Sequence, residues 1–455
     1  MLLSNILLLS VASVASAGVV HAPLTARSIS ESPQVAAYLA KRDIYHATPQ
    51  MGRLYYETEL EIGTPPQVVK AVFDTGSPLL WVHGSNSTQC LQGHCQGSFN
   101  VSKSSTWHYL SESNNWGGIG NWGNETVSYA GQTLTDFETW VSKGDPYMWF
   151  EIGIFGQSGT DDPRQSFVQG LADSGKISRA VYSLNAEKPI LWNKPSSKGT
   201  VNNVYYGGYD RAKYQGPLTT IKCDHHNGYA MPLGGISIEG KRVKTTRDYQ
   251  IVLDTGGINL TLPNGTIKAL SEAYGGNGVY EAPGYFKCKC DTNPVVTLNF
   301  GYTDIDIDLK PYMLPSPHGD CWIGGIKPVS DDTDILLNGP PVISQALVIY
   351  DNHRDTITIG KAKFTDESDV VEITGDIPGT VNYEDWLAGK PLPSSVVSST
   401  TTSSAASSTV QRSTLAIVTT SQPKESAQPE ESAQPDESSQ PEDPFDFCDL
   451  FGIFC

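Results

Sequence analysis

Between residues 43 and 380 the apolar positions come as short runs closed by Gly, Pro or Asn, with no sustained helical period. Ala71-Val72-Phe73, Leu80-Trp81-Val82, Ile251-Val252-Leu253 and Val348-Ile349-Tyr350 each read as a buried strand. Helical spacing is confined to two short stretches, Gln165–Asp173 and Thr266–Tyr274. The pattern predicts an all-β body with a few peripheral helices. It stops near Pro391, where Ser and Thr take over and Gln-Pro recurs at Gln422, Gln428, Gln434 and Gln440. Such a stretch buries too little apolar surface to offset the entropy of ordering it, so residues 381–455 are expected to form a disordered, extended tail.

Composition narrows the class. At 455 residues the chain is long enough for two or three folded units, and 38% hydrophobic with 9% aromatic residues supplies a sizeable core. With 43 Gly, 29 Pro and only 18% charged residues it is a turn-rich β protein and not a helical bundle. The formal charge of -18 repels phosphate backbones, which argues against a nucleic-acid partner. Outside the N-terminus no apolar run approaches bilayer-spanning length, so no transmembrane segment is expected.

The two ends and the cysteines indicate the compartment. Residues 1–17 read as a secretory signal, with apolar bulk at Leu2-Leu3 and Ile6–Leu9 and an Ala15-Ser16-Ala17 cleavage site. Lys41-Arg42 suits a maturation protease, which makes 18–42 a pro-segment and Asp43 the new N-terminus. In an exported chain the eight cysteines should mostly pair. Cys90 and Cys95 can close a local loop, and Cys448 and Cys455, alone at the C-terminus, are expected to bond each other. Cys321 has Cys288 and Cys290 as candidate partners, with Cys223 taking the one left over. Cys288 with Cys321 is the pairing carried forward. No His lies beside the Cys pairs in a zinc pattern, so neither metal nor cofactor is called. Sequons at Asn86, Asn100, Asn124 and Asn264 support export, whereas the one at Asn259 falls inside an apolar strand pattern.

The chemistry is carried by an internal duplication. Ala71-Val72-Phe73-Asp74-Thr75-Gly76 returns as Ile251-Val252-Leu253-Asp254-Thr255-Gly256, with each strand ending in Asp-Thr-Gly. An apolar-apolar-Gly step follows each copy, as Ile154-Phe155-Gly156 and as Leu337-Asn338-Gly339. One Asp-Thr-Gly is weak evidence; two in matched surroundings are strong. From about Leu54 to Lys363 the arrangement resembles the pepsin-like aspartic peptidases, and the signal, short pro-segment and Ser/Thr tail are fungal in style. Further likenesses are Gly63-Thr64-Pro65, the Leu80-Trp81-Val82 run, the Cys90–Cys95 loop, Tyr206-Gly207-Gly208-Tyr209-Asp210 and Val348-Ile349-Tyr350-Asp351.

The resemblance implies a bilobal fold with pseudo-twofold lobes, the N-lobe over about 54–215 and the C-lobe over about 216–375. It implies a monomeric endopeptidase acting on polypeptides, with Asp74 and Asp254 sharing one proton in acid. Thr75 and Thr255 would brace the loops, and Gly76 and Gly256 would let backbone approach the carboxylates. Ser77 would hydrogen-bond its neighbouring carboxylate. Gly257 stands where the family usually has Ser or Thr, and the missing donor should leave the optimum less acidic. The substrate flap looks shortened and lacks the usual Tyr-Gly, with Trp116-Gly117 in its place. Asn338 and Pro340 depart from the family's second apolar step and put the packing behind Asp254 in question. The rival reading is a catalytically weak or inactive binding or inhibitor protein on the same fold. A third reading, a structural wall protein, rests on the tail alone; the expected location is secreted and extracellular, with cell-wall association through that tail.

Overall fold

The computed structural model describes residues 18–28, 54–115, 118–144, 151–160, 162–188, 201–257, 259–278, 280–282, 285–316, 319–324 and 326–394. The signal segment, Lys41-Arg42 with Asp43, and the tail from 395 onward with Cys448 and Cys455 lie outside the described residues.

Strand formation follows from alternation. In the hairpin Val295–Phe300/Thr303–Asp308, residues Val296, Leu298, Phe300, Thr303, Ile305 and Ile307 are buried, while Asp304, Asp306 and Asp308 are exposed. Val296 lies opposite Ile307 and Leu298 opposite Ile305, so one face of the pair turns to the core. Where a strand is covered on both faces the alternation disappears. All six residues of Ala346–Asp351 are buried, and its sequence is a near-continuous apolar run.

In chain order the first half contributes β1 (Val20–Ser28), β2 (Leu54–Ile62), β3 (Gln67–Asp74), β4 (Leu80–His83), β5 (His108–Asn115), β6 (Gly118–Tyr129), β7 (Gln132–Gly144), β8 (Gly153–Gly156), β9 (Val181–Ala186) and β10 (Val201–Tyr206). They belong to a 14-stranded sheet whose middle is shared between the two halves. There Tyr214–Lys222, Thr356–Ala362, Ala346–Asp351, β9, β10 and β1 succeed one another, each antiparallel to the next. The first lobe grows outward from this base through β2, β3, β8, β4, β7, β6 and β5. The second lobe is built from smaller sheets spanning 231–338. The result is a mostly β, bilobal body. The short helices Phe167–Asp173 and Asn264–Ala273 fall where the sequence pattern places them. Among the described residues no helix is long and apolar enough to cross a membrane.

Two boundaries differ from the sequence reading. The first strand comes earlier than expected: residues 20–28 of the assigned pro-segment form β1, inserted between β2 and β10 with Thr25 opposite both Glu57 and Val201. At the other end the folded body continues past 380. Thr380–Asn382 pairs parallel with Tyr214–Lys222, and in the following helix, Tyr383–Leu387, Tyr383 is buried and Trp386 packs against the core. These few apolar residues sit in a polar neighbourhood, so composition averaged over the window hides them.

The disulfides also need a correction. Cys90 and Cys95 are bonded as expected, but Cys321 is bonded to Cys290 and not to Cys288. Cys288 lies opposite Cys321 on the neighbouring strand, with its side chain buried in the core. Cys290, two residues on, leaves the strand and brings its Cα to 4.9 Å from that of Cys321. Cys223 is not its partner: among the described residues both Cys223 and Cys288 are free thiols. Cys223 sits at the end of Tyr214–Lys222, where its N–H donates to the Asp355 carbonyl.

Candidate active site

Each Asp-Thr-Gly follows a buried strand that pairs parallel with the strand of the downstream apolar-apolar-Gly step. In the first half Phe73 lies opposite Phe155 and Asp74 opposite Gly156; in the second, Leu253 lies opposite Asn338. The echo extends to single hydrogen bonds. The Gly156 N–H donates to the Leu79 carbonyl at 2.9 Å, and the Gly339 N–H donates to the Asn259 carbonyl at 3.0 Å. Leu79 and Asn259 each stand five residues beyond their aspartate. The duplication is therefore one local structure built twice.

The threonines lock the two copies together. The Thr75 hydroxyl donates to the Leu253 carbonyl at 2.8 Å and accepts the Thr255 N–H at 3.0 Å. The Thr255 hydroxyl donates to the Phe73 carbonyl at 2.6 Å and accepts the Thr75 N–H at 2.9 Å. Both threonines are fully buried. With no water to compete, each of these bonds is costly to leave unmade.

This lock brings the carboxyl groups together. The Gly76 N–H lies 2.8 Å from Asp74 Oδ1 and 3.1 Å from Asp254 Oδ1, so one donor serves both aspartates. The glycines make the approach possible. A Cβ at Gly76 would fall 2.6 Å from Asp254 Cγ, and one at Gly256 would fall 2.6 Å from Asp74 Cγ. Asp74 also accepts the Ser77 N–H at 3.2 Å on Oδ1 and the Ser77 hydroxyl at 2.6 Å on Oδ2. Asp254 accepts the Gly256 N–H at 2.7 Å, and Gly257 offers no side-chain donor. Burial, and then the neighbouring Asp74 charge, push the Asp254 carboxyl well above the usual carboxylate range.

Asn338 is accommodated in the packing behind Asp254. Its backbone carbonyl accepts the Asp254 N–H at 2.8 Å. Its side-chain Oδ1 accepts the Thr261 N–H at 2.8 Å, so a buried amide takes the place of an apolar side chain with its acceptor satisfied. Pro340 opens the short helix Pro340–Ile343 at a position where a missing N–H costs nothing.

The flap region forms a hairpin, β5 pairing with β6 from His108 opposite Asn124 to Asn115 opposite Gly118. Trp116 and Gly117 lie outside the described residues. Trp81 is buried at its base, 6.2 Å from Trp140 in a stacked pair. Of the sequon asparagines, Asn86 and Asn264 are exposed, while Asn100 and Asn124 are half-buried.

The sequence reading missed Gln157 and the tyrosines beneath the dyad. Gln157 follows Gly156 directly, and its N–H donates to the Asp74 carbonyl at 2.7 Å. The signal was a polar residue closing an otherwise apolar step.

An all-β, two-lobed fold that joins one Asp-Thr-Gly loop from each half through crossed threonines defines an aspartic peptidase of the pepsin type. In agreement, the family model for eukaryotic aspartyl protease matches residues 55–362, and the chain belongs to that family. It is 31% identical over 299 residues to rhizopuspepsin-3 of Rhizopus niveus, covering 60% of this chain and 70% of that protein. It is 26% identical over 368 residues to the probable aspartic-type endopeptidase opsB of Aspergillus fumigatus, covering 72% of each. To the aspartic proteinase yapsin-3 of Saccharomyces cerevisiae it is 26% identical over 367 residues, covering 72% and 70%. The chain is an aspartic endopeptidase.

Proposed function

We propose that this endopeptidase is exported, matured after Arg42 and active in acid, with Asp74 and Asp254 as its catalytic pair. The observation that carries the catalytic assignment is the single Gly76 N–H held by both carboxylates. Two groups that close cannot both be charged, so they share one proton. Both acids are buried, but Ser77 gives Asp74 two donors, and its hydroxyl has no counterpart at Gly257. This asymmetry supports assigning the shared proton to Asp254, whose carboxyl is raised by burial and by the neighbouring Asp74 charge.

Chemistry follows from that asymmetry. The Asp74 carboxylate takes a proton from an attacking water while the Asp254 acid hydrogen-bonds the scissile carbonyl and hands over its proton as the oxygen becomes a hydroxyl. A gem-diol forms at the former carbonyl carbon. Asp74 then returns its proton to the amide nitrogen, the C–N bond breaks, and the remaining diol proton restores the acid. No covalent bond to the protein is made. Trp116 is assigned as the residue that closes over the substrate from the end of the β5–β6 hairpin.

Export rests on the signal-like 1–17, the disulfides and the exposed sequon positions Asn86 and Asn264. After cleavage at Arg42 the strand β1 would be held without a covalent link, by its pairing with β2 and β10 and by the core packing of Val20, Ala22 and Leu24. The tail remains the candidate for wall association. The decisive assay is digestion of acid-denatured globin by secreted protein, with Asp74→Asn as control. Activity in acid that the substitution abolishes supports the reading. Folded wild-type protein that cleaves nothing from strongly acid to neutral pH would instead make it a binding protein on the same fold. N-terminal sequencing of secreted material should begin at Asp43, and a start well away from it overturns the maturation site.

A further inference from the structure

Directly below the two aspartates lies a polar cluster that the catalytic scheme does not use. Gln157 is 2% exposed and its hydrogen-bonding groups are engaged. Its N–H donates to the Asp74 carbonyl at 2.7 Å, and its side-chain Nε2 donates to the Gly156 carbonyl at 2.8 Å. Its side-chain Oε1 accepts the Tyr206 hydroxyl at 2.7 Å. Its backbone carbonyl accepts the Tyr229 hydroxyl at 2.9 Å and the Tyr182 hydroxyl at 3.2 Å. Tyr182 stacks on Tyr350, with ring centroids 4.8 Å apart and planes 8° from parallel. Tyr229 meets the same ring at 5.0 Å. Tyr350 in turn donates its hydroxyl to the Leu253 carbonyl at 2.9 Å, one residue before Asp254.

A continuous path of buried contacts thus runs from the Asp74 carbonyl to the residue preceding Asp254. It passes beneath the dyad, whereas the threonine lock passes through it. Burial pushes all four tyrosine hydroxyls far above their usual range, so they remain neutral donors wherever the dyad titrates. The path is also one-sided. The Leu253 carbonyl receives both the Thr75 and the Tyr350 hydroxyls, which fixes the second loop from two directions.

We infer that Gln157 and Tyr350 are positioning residues, which, with Tyr182 and Tyr229, form a polar pillar setting the separation of Asp74 and Asp254. The inference rests on the peptidase reading, so its test reads the dyad both through turnover and without it. Gln157→Leu should lower kcat about tenfold to a hundredfold, because small displacements of reacting groups are costly. Tyr350→Phe, which removes one oxygen, should act in the same direction but less, and in both KM stays within about twofold. The pH profile should move in both. Gln157→Glu separates positioning from bulk stability. Protonated, its carboxyl can donate to Gly156 and accept from Tyr206, so kcat should approach wild type below about pH 4. It should then fall as that carboxyl ionises.

Carboxyl-carbon NMR, with the Asp254 signal assigned through Asp254→Asn, reads the titration even in protein that turns nothing over. The expected result is a displaced Asp254 titration in Gln157→Leu and Tyr350→Phe. An unmoved titration in folded protein, whatever happens to the melting temperature, overturns the inference. A wild type that cleaves nothing overturns the peptidase reading alone, because the titration still judges the pillar.

Discussion

Gly257→Ser adds one hydroxyl beside the carboxyl that carries the shared proton. A Cβ at 257 would sit 3.4 Å from Asp254 Oδ2 and 3.3 Å from the Asp254 carbonyl, which a shift of a few tenths of an ångström accommodates. Gly257 is not among the residues with positive φ, so a side chain adds no backbone strain there. From that Cβ the serine oxygen can reach Oδ2 much as the Ser77 hydroxyl reaches Asp74 Oδ2 at 2.6 Å. A hydrogen bond to a charged group contributes about 1.5–3 kcal/mol, and one pKa unit corresponds to about 1.4 kcal/mol. The protonated carboxyl keeps part of that bond, so the expected net shift is about one unit. The sign follows from which form gains. A donor favours the ionised pair, so the upper apparent pKa of the dyad falls and the alkaline limb of activity moves toward acid. The assay is kcat/KM on a synthetic peptide across the pH range, with circular dichroism to establish folding. An alkaline limb that stays in place or moves upward in folded protein refutes the reasoning.

Other consequences can be checked by simpler means. Asp74→Asn and Asp254→Asn should each lower kcat/KM by about 10²–10⁴-fold without unfolding the protein. Because the folded-state pKa of Asp254 is raised, its contribution to stability is fully present below its unfolded value of about 4 and is lost as pH rises through the folded value. Asp254→Asn should therefore melt higher than wild type near neutrality and converge with it in strong acid. Cys290→Ser opens a cross-link spanning a sequence separation of 31 and should cost roughly 3–4 kcal/mol, measured by thermal or urea unfolding. The Cys288 thiol, pushed up to about 11 by burial, should resist alkylation until the protein unfolds, as mass spectrometry would show. Trp116→Ala should raise KM while leaving the melting transition in place; an unchanged KM removes Trp116 from the lid role.

Much of the chemistry was readable from local order in the chain. Asp-Thr-Gly after an apolar strand is a local pattern, and its repetition 180 residues later told of two like halves. Alternation gave the strand class, because a half-buried sheet requires it. The cysteine pairing was not readable in this way. Cys288 and Cys290 differ by two positions in sequence, and only the point where the strand ends selects Cys290.

What the chain determined by itself was the pair of acids, the small residues beside them and the periodicity that makes them strand ends. These are properties of neighbours in sequence, set by backbone sterics and side-chain burial. Tertiary structure decided how the ends meet: that one Gly76 N–H serves both acids, that Asn338 satisfies itself against Thr261, and that Gln157 and four distant tyrosines lie under one dyad. Together with the crossed threonines they join residues up to 182 positions apart, as in the Thr255–Phe73 bond. Their energies depend on a shared, water-free interior that exists only once both halves have closed around the central sheet.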